Sequence, residues 1–266
     1  MLKDITLGQY FPGNSLLHRL DPRMKLALTM LFIVLVFLPQ NWPALGLVLL
    51  FLGVVVALSR LPLSLLWRSM KPVLFIVAFT AVLNVLYVTD GTTLLRRPFH
   101  VTTGGLQNAA FIAVRIFTLI IGSSLLTYTT TPTALTDGIE RLLAPLKFIG
   151  INPHELAMMM TIALRFIPTL MEETDKIMSA QKARGADMES GGLLSRVKAL
   201  VPILIPLFVS SFRRAYDLAM AMECRCYQGG EGRTRMKQLH TAPRDWVALA
   251  VYLLVGVGIV LINLFL

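Results

Sequence analysis

Residues 246–266 run for 21 positions without one charged side chain. A helix needs about 20 apolar residues to cross the hydrocarbon layer of a bilayer, within a range near 17–25. Residues 109–128 form a second such run, interrupted only by Arg115, and residues 72–88 a third at the short end. Residues 26–58 are too long for one crossing and short for two. Pro39-Gln40-Asn41-Trp42-Pro43 breaks this stretch near its middle, and two prolines beside two amides favour a turn. The stretch therefore reads as a tight hairpin of two spans. The expected fold is all-α and polytopic, with about five transmembrane helices. Composition agrees: 15% of the 266 residues are charged, against about 25% in a soluble domain.

The basic residues give an orientation. Residues 1–25, 59–72 and 129–245 would share one side and hold twenty-two Lys and Arg, whereas residues 89–108 opposite hold two. Cytoplasmic segments carry the excess of Lys and Arg. The N-terminus and residues 129–245 are thus expected in the cytoplasm of a bacterial cell and the C-terminus outside. The net charge of +10 then reflects membrane topology rather than nucleic acid, since no nucleic-acid motif accompanies it.

Three parts are expected: a membrane part over residues 1–128 with about four spans, a cytoplasmic or interfacial part over 129–245, and a last span over 246–266. The middle part holds all but three of the acidic residues and reads as three long helices. The first, 133–148, opens on Thr-Pro-Thr and stops at Gly150. The second follows Asn152-Pro153 and runs to Arg184, and the third runs from Leu193 to about Tyr227. Residues 199–212 are almost wholly apolar, but 14 residues make a helix of only about 21 Å. With Pro202 and Pro206 inside and basic residues at both flanks, they read as buried or interfacial rather than crossing.

Two of these helices share a layout. Each ends on an arginine between small residues, Ala183-Arg184-Gly185 and Cys224-Arg225-Cys226, and each is followed by a glycine pair. Small neighbours let another backbone approach closely, and a guanidinium fork can then reach a carboxylate or carbonyl on a partner. The alternative is an arginine that caps its own helix, where unpaired carbonyls favour a cation. Spacing leaves both readings open.

Over nearly its whole length the chain resembles the transmembrane T component of energy-coupling-factor (ECF) transporters. The resemblance is carried by residues 17–25 (LHRLDPRMK), 164–173 (LRFIPTLMEE), 181–185 (QKARG) and 221–233 (AMECRCYQGGEGR). That family carries two Ala-Arg-Gly motifs at the ends of coupling helices. The first is intact here; the second has Cys224 and Cys226 where the family usually has alanine and glycine, so Cys226 lacks glycine's freedom at positive φ. The resemblance implies a coupling subunit that holds two cytoplasmic ATP-binding-cassette ATPases, with Arg184 and Arg225 in grooves on the two. It also implies a membrane-embedded S component that captures a vitamin or trace nutrient. ATP and magnesium would be bound by the partner ATPases, and this chain would hold no cofactor and catalyse nothing.

Other chemistries find little support. The run from Gly229 to Arg233 lacks the G-x-x-x-x-G-K-[ST] spacing that cradles phosphates. Glu172 and Glu173 are adjacent on a helix and do not face each other. Cys224 and Cys226 have no nearby partners to complete the about four ligands of a closed zinc site. A channel or self-sufficient transporter would need a polar path, for which Asn84 and the Ser123-Ser124/Thr127 group are the candidates. Arg115 inside a span could line a partner contact or snorkel outward.

Overall fold

The computed structural model describes residues 10–87, 93–95, 101–150, 152–186, 192–229 and 238–265. Eight helices follow in order: α1 (Pro22–Phe37), α2 (Trp42–Ser59), α3 (Leu63–Tyr87), α4 (Thr103–Thr129), α5 (Pro132–Leu142), α6 (Pro153–Ala183), α7 (Leu193–Glu223) and α8 (Pro243–Phe265). A short 3₁₀ segment, Ala144–Ile149, lies between α5 and α6. The fold is all-α but for one small antiparallel pair, β1 (Thr93–Leu95) with β2 (Val101–Thr102), which pairs Thr93 with Thr102 and Leu95 with Val101. Arg96 and Arg97 lie outside the described residues.

Among the described residues, five helices are long and apolar enough to cross a membrane: α2, α4, α8, residues 63–85 of α3 and residues 198–223 of α7. The number agrees with the expectation; the identities differ in two places. α1 has only 16 residues and is shorter than these five, although Asp21 before its start and Leu38 after its end meet the two ends of α8. α7 is long enough because the helix continues beyond the 14-residue apolar run, through Arg213 and Arg214 to Glu223. α3 begins at Leu63, nine residues before the expected start, with Pro72 inside the helix. The middle part is also less regular than three long helices. α5 is 11 residues, and its expected second half is the 3₁₀ turn, because Pro145 cannot donate to an α-helical ladder. α6 and α7, at 31 residues each, keep the expected bounds closely.

The helices form two compact units, one within Gly8–Ile139 and Leu239–Leu266, the other within Glu140–Gln238. In the first, Val36 of α1, Ala44, Leu45 and Val48 of α2, and Ile259 of α8 are almost completely enclosed. Lipid tails are as apolar as leucine, so such packing is held by van der Waals fit rather than by expulsion of water. Gly122 of α4 shows how tight the fit is. A Cβ built there would lie 2.0 Å from Cε1 of Phe32, so only glycine lets α4 come so close to α1.

Both ends of this unit are fastened by polar groups. At one end Asp21 caps α1, accepting from the Arg23 N–H at 2.9 Å. Asp245, fully enclosed at the start of α8, accepts from the backbone N–H of Asp21 (3.0 Å) and of Ala242 (2.7 Å). The Lys25 ammonium donates to the Thr129 carbonyl at 2.9 Å and to that of His18 at 3.3 Å. A cation is favoured there because the last carbonyls of α4 are otherwise unpaired. At the other end Asn263 of α8 donates to the Leu38 carbonyl (2.8 Å), and its side-chain oxygen accepts from the Gln40 N–H (3.3 Å). The start of α1, the end of α4 and the start of α8 therefore lie together, and the α1–α2 turn lies with the end of α8.

Candidate coupling-helix termini

α6 and α7 run antiparallel. Gln181 donates to the Pro202 carbonyl (3.3 Å), Ser210 to Glu173 Oε1 (2.6 Å), and the Tyr227 hydroxyl to Met158 Sδ (3.0 Å). Residue numbers rise along one helix as they fall along the other, so the C-terminal ends of α6 and α7 point to opposite ends of the pair. From Met158 to Gln181 is about 35 Å at 1.5 Å per residue. The two arginine triplets are thus held apart at opposite ends of the pair, not gathered into one site.

Each triplet closes its helix in the same way. At the end of α6 the Gly185 N–H donates to the Lys182 carbonyl (3.0 Å) and the Ala186 N–H to the Gln181 carbonyl (3.0 Å). At the end of α7 the Cys226 N–H donates to the Glu223 carbonyl (2.8 Å) and the Tyr227 N–H to the Met222 carbonyl (3.0 Å). This paired pattern is the Schellman ending, which requires a left-handed residue one position past the cap. Gly185 takes that role at φ +84°, and Cys226, without glycine's freedom, takes it at φ +54°. The backbone is the same although the residue differs.

The ending bears on the two readings of the arginines. Four terminal carbonyls are already satisfied by the backbone, so neither guanidinium is needed as a cap. Arg184 and Arg225 are exposed, and neither guanidinium makes a hydrogen bond or ion pair among the described residues. Ala183, Gly185, Cys224 and Cys226 beside them are exposed as well, with both thiols free. A Cβ on Gly185 would meet nothing within 4 Å. Each terminus is an open, small-residue surface with one unpaired cation at its tip.

Between the tips the pair is bolted by Glu173, which accepts from both Ser210 and Arg214. Hydrogen bonds from Ser210, then from Arg214, hold its carboxyl below the usual carboxylate value. α7 also carries exposed apolar side chains at helical spacing, Ile205, Phe208, Val209, Phe212 and Tyr216 among them. An apolar stripe of this length marks a surface made for lipid or another membrane protein. The 14-residue apolar run between the basic flanks reads as buried or interfacial; the whole helix shows that the exposed stripe reaches past Arg213 and Arg214 to Tyr216.

Three of the polar residues inside the spans, Arg115, Asn84 and Ser123, bond within this chain. Arg115 donates to the Pro39 carbonyl at the α1–α2 turn, and its guanidinium carbon lies 4.8 Å from the centre of the Phe111 ring. Phe111 in turn meets Trp42 edge-on at 5.3 Å. The arginine thus braces a turn of its own chain. Asn84 donates to the Thr80 carbonyl and Ser123 to the Ile120 carbonyl, each within its own helix. Among the described residues no group of three or more His, Cys, Asp or Glu could hold a metal. Residues 230–233 of the glycine-rich run lie outside the described residues.

The architecture is that of a polytopic helical membrane protein with a paired-helix module, and comparison gives the family. Residues 13–236 match the family described as CbiQ, cobalt transport protein. The chain is 53% identical over 263 residues to the energy-coupling factor transporter transmembrane protein EcfT of Clostridium kluyveri, covering 97% of each chain. It is 51% identical to EcfT of Thermosediminibacter oceani, again over 97% of each. With EcfT of Bacillus subtilis it shares 52% identity over 246 residues, 92% of this chain and 93% of the relative. The chain belongs to this CbiQ/EcfT family of transporter transmembrane components.

Proposed function

We propose that this chain is the energy-coupling subunit of an ECF-type importer, joining two cytoplasmic ATPases to a membrane-embedded S component that binds a vitamin or trace nutrient. The observation that carries the reading is the pair of identical helix endings on α6 and α7, each presenting an unpaired arginine among small residues. Ala183-Arg184-Gly185 would seat in a groove of one ATPase and Cys224-Arg225-Cys226 in that of the other. The ATPases bind ATP and magnesium; this chain transmits their movement and does no chemistry. A charge-assisted contact contributes about 1.5–3 kcal/mol, so apolar packing around each tip must supply the rest of the attachment.

The apolar stripe of α7 suits a membrane-embedded partner, and the S component is its proposed occupant. In this reading the N-terminus and residues 129–245 lie on the cytoplasmic side of the cell membrane and the C-terminus outside, with the apolar stretch of α7 lying along the membrane interface rather than crossing, so that both arginine tips can meet cytoplasmic ATPases. The start of α1, the end of α4 and the start of α8 share one end of their unit, and the Lys and Arg excess assigns that end to the cytoplasm. Substrate choice belongs to the S component.

The test is co-purification and coupled uptake with both ATPases and an S component, comparing the wild type with Arg184→Glu, Arg225→Glu and the double variant. Each single variant should lose one ATPase contact and the double variant both, with membrane insertion unchanged. Full assembly and uptake in the double variant would overturn the two-arginine mechanism. Uptake by the purified chain alone would overturn the coupling role.

A further inference from the structure

We propose that the unit formed by α1, α2, α4 and α8 holds one anionic phospholipid, its acyl chain in an apolar groove and its phosphate at Arg19, Arg60 and Arg244. The groove has a volume of about 510 Å³, within the range of about 300–1,000 Å³ typical of small-ligand sites. Phe32 and Gly122 form part of its floor, and Leu50, Val54 and Leu58 line it on α2. These three are substantially exposed and four residues apart, so the groove is open along about 12 Å of that helix. Its walls belong to membrane-spanning helices, so the medium that fills it is lipid. An unfilled groove would forfeit the dispersion contacts of its whole lining.

The selectivity comes from the mouth. A second, more polar recess adjoins the groove, sharing Leu16, Val54 and Leu58, and carries Arg19 and Arg60 on its walls. Arg244, at the start of α8, lines the groove itself. All three guanidiniums are exposed, and none forms an ion pair or side-chain hydrogen bond among the described residues. Lys25, the fourth cation there, is committed to the carbonyls of Thr129 and His18. Of the nearby carboxylates, Asp245 is committed to the backbone of Asp21 and Ala242, and one oxygen of Asp21 to the Arg23 N–H, while the other Asp21 oxygen is buried without a hydrogen-bond partner among the described residues. Three unpaired guanidinium forks at the lip of an acyl-sized groove match a phosphate, which arginine grips through two parallel hydrogen bonds.

Arg60 adds an independent observation. It ends α2 in the left-handed conformation, φ +53°, where glycine is the favoured residue. A long cation kept in that conformation bears a backbone cost that an ordinary helix ending avoids, and it lies on the wall of the cationic recess. The surfaces joined here are an acyl slot and a phosphate grip on one face, the two halves of an anionic lipid.

The experiment is native mass spectrometry of the full chain in detergent, titrated with phosphatidylglycerol or phosphatidylcholine of matched acyl chains. Wild type should retain phosphatidylglycerol over phosphatidylcholine by about tenfold: both carry the phosphate, but the quaternary ammonium of choline is repelled by the three guanidiniums, whereas glycerol is neutral. Arg19→Gln/Arg60→Gln/Arg244→Gln should lose that preference while still binding either lipid weakly. Ala248→Trp, which fills the groove from α8 and leaves the cations in place, should lose retention of both. Circular dichroism and gel filtration select the folded variants, and single arginine variants replace the triple one if it fails to fold. Equal retention of the two lipids by the wild type overturns the proposal. So does unchanged phosphatidylglycerol binding by Ala248→Trp. Loss of S-component co-purification in Ala248→Trp with lipid retention intact would reassign the groove to a protein partner.

Discussion

Gly185 and Cys226 occupy the same backbone position in two copies of one helix ending, at φ +84° and +54°. One is the residue that this conformation favours; the other bears a side chain there. Cys226→Gly should therefore preserve the ending and stabilise it by up to about 1 kcal/mol, whereas Gly185→Val should destabilise its own ending by about 1–2 kcal/mol. Thermal unfolding of the purified chain measures both, and a destabilising Cys226→Gly would show that the thiol itself is needed.

The exposed thiols give a direct reading of the proposed attachment. Cys224 and Cys226 flank Arg225 and are free. A bulky maleimide should label both in the isolated chain and should be blocked when the ATPases are bound. In intact cells only a membrane-permeant maleimide should reach them. Equal labelling with and without the ATPases would remove this terminus from the contact.

Asp245 is a better target for testing the membrane unit than any apolar residue around it. Its carboxylate accepts from two backbone N–H groups and is fully enclosed. Asp245→Ala would leave both donors unsatisfied, at about 1–3 kcal/mol each, and should lower the unfolding temperature by several degrees. Asp245→Asn keeps an acceptor oxygen and should lose about half as much.

Glu173 should make the α6–α7 pair sensitive to acid. Its carboxyl titrates below its unfolded value because Ser210 and Arg214 bond to the ionised form. The stabilisation is thus fully present above the unfolded carboxylate range and is lost as pH falls through the lower folded value. The side chain is solvated, so the effect is small and weakens with salt. Glu173→Gln should remove the acid dependence of proteolytic nicking between α6 and α7; an unchanged profile would assign that dependence elsewhere.

Gly122→Ala should fail by overpacking, at about 1–3 kcal/mol, since its Cβ would enter the Phe32 ring. Phe32→Leu combined with it should restore part of the loss, measured by thermal unfolding.

What the sequence made legible was whatever is local. α6 and α7 carry their start and stop signals within a few residues of each end, and the structure puts their bounds close to those expected. Pro72 misled because proline reads as a helix boundary, yet α3 continues through it. α7 was undercounted because its apolar run was measured between basic flanks, although the helix continues past them. The roles of Asp21, Lys25 and Asp245 were out of reach for a different reason. Their partners lie up to 224 residues away, and no periodicity reports a pairing of that separation. Residues 17–25 stood out as a motif; only the packing shows that they clasp α1 to the ends of α4 and α8.

The antiparallel course of α6 and α7 has a symmetry consequence. A half-turn about an axis perpendicular to the pair exchanges the two helix endings, so the chain carries an approximate local dyad in a module with no internal sequence repeat of matching intervals. Two similar partners related by that same half-turn would each meet the same cap and the same cation. The exchange is imperfect at both neighbours of the arginine, alanine and glycine against two cysteines, and an asymmetric pair of partners would have those differences to tell the two ends apart.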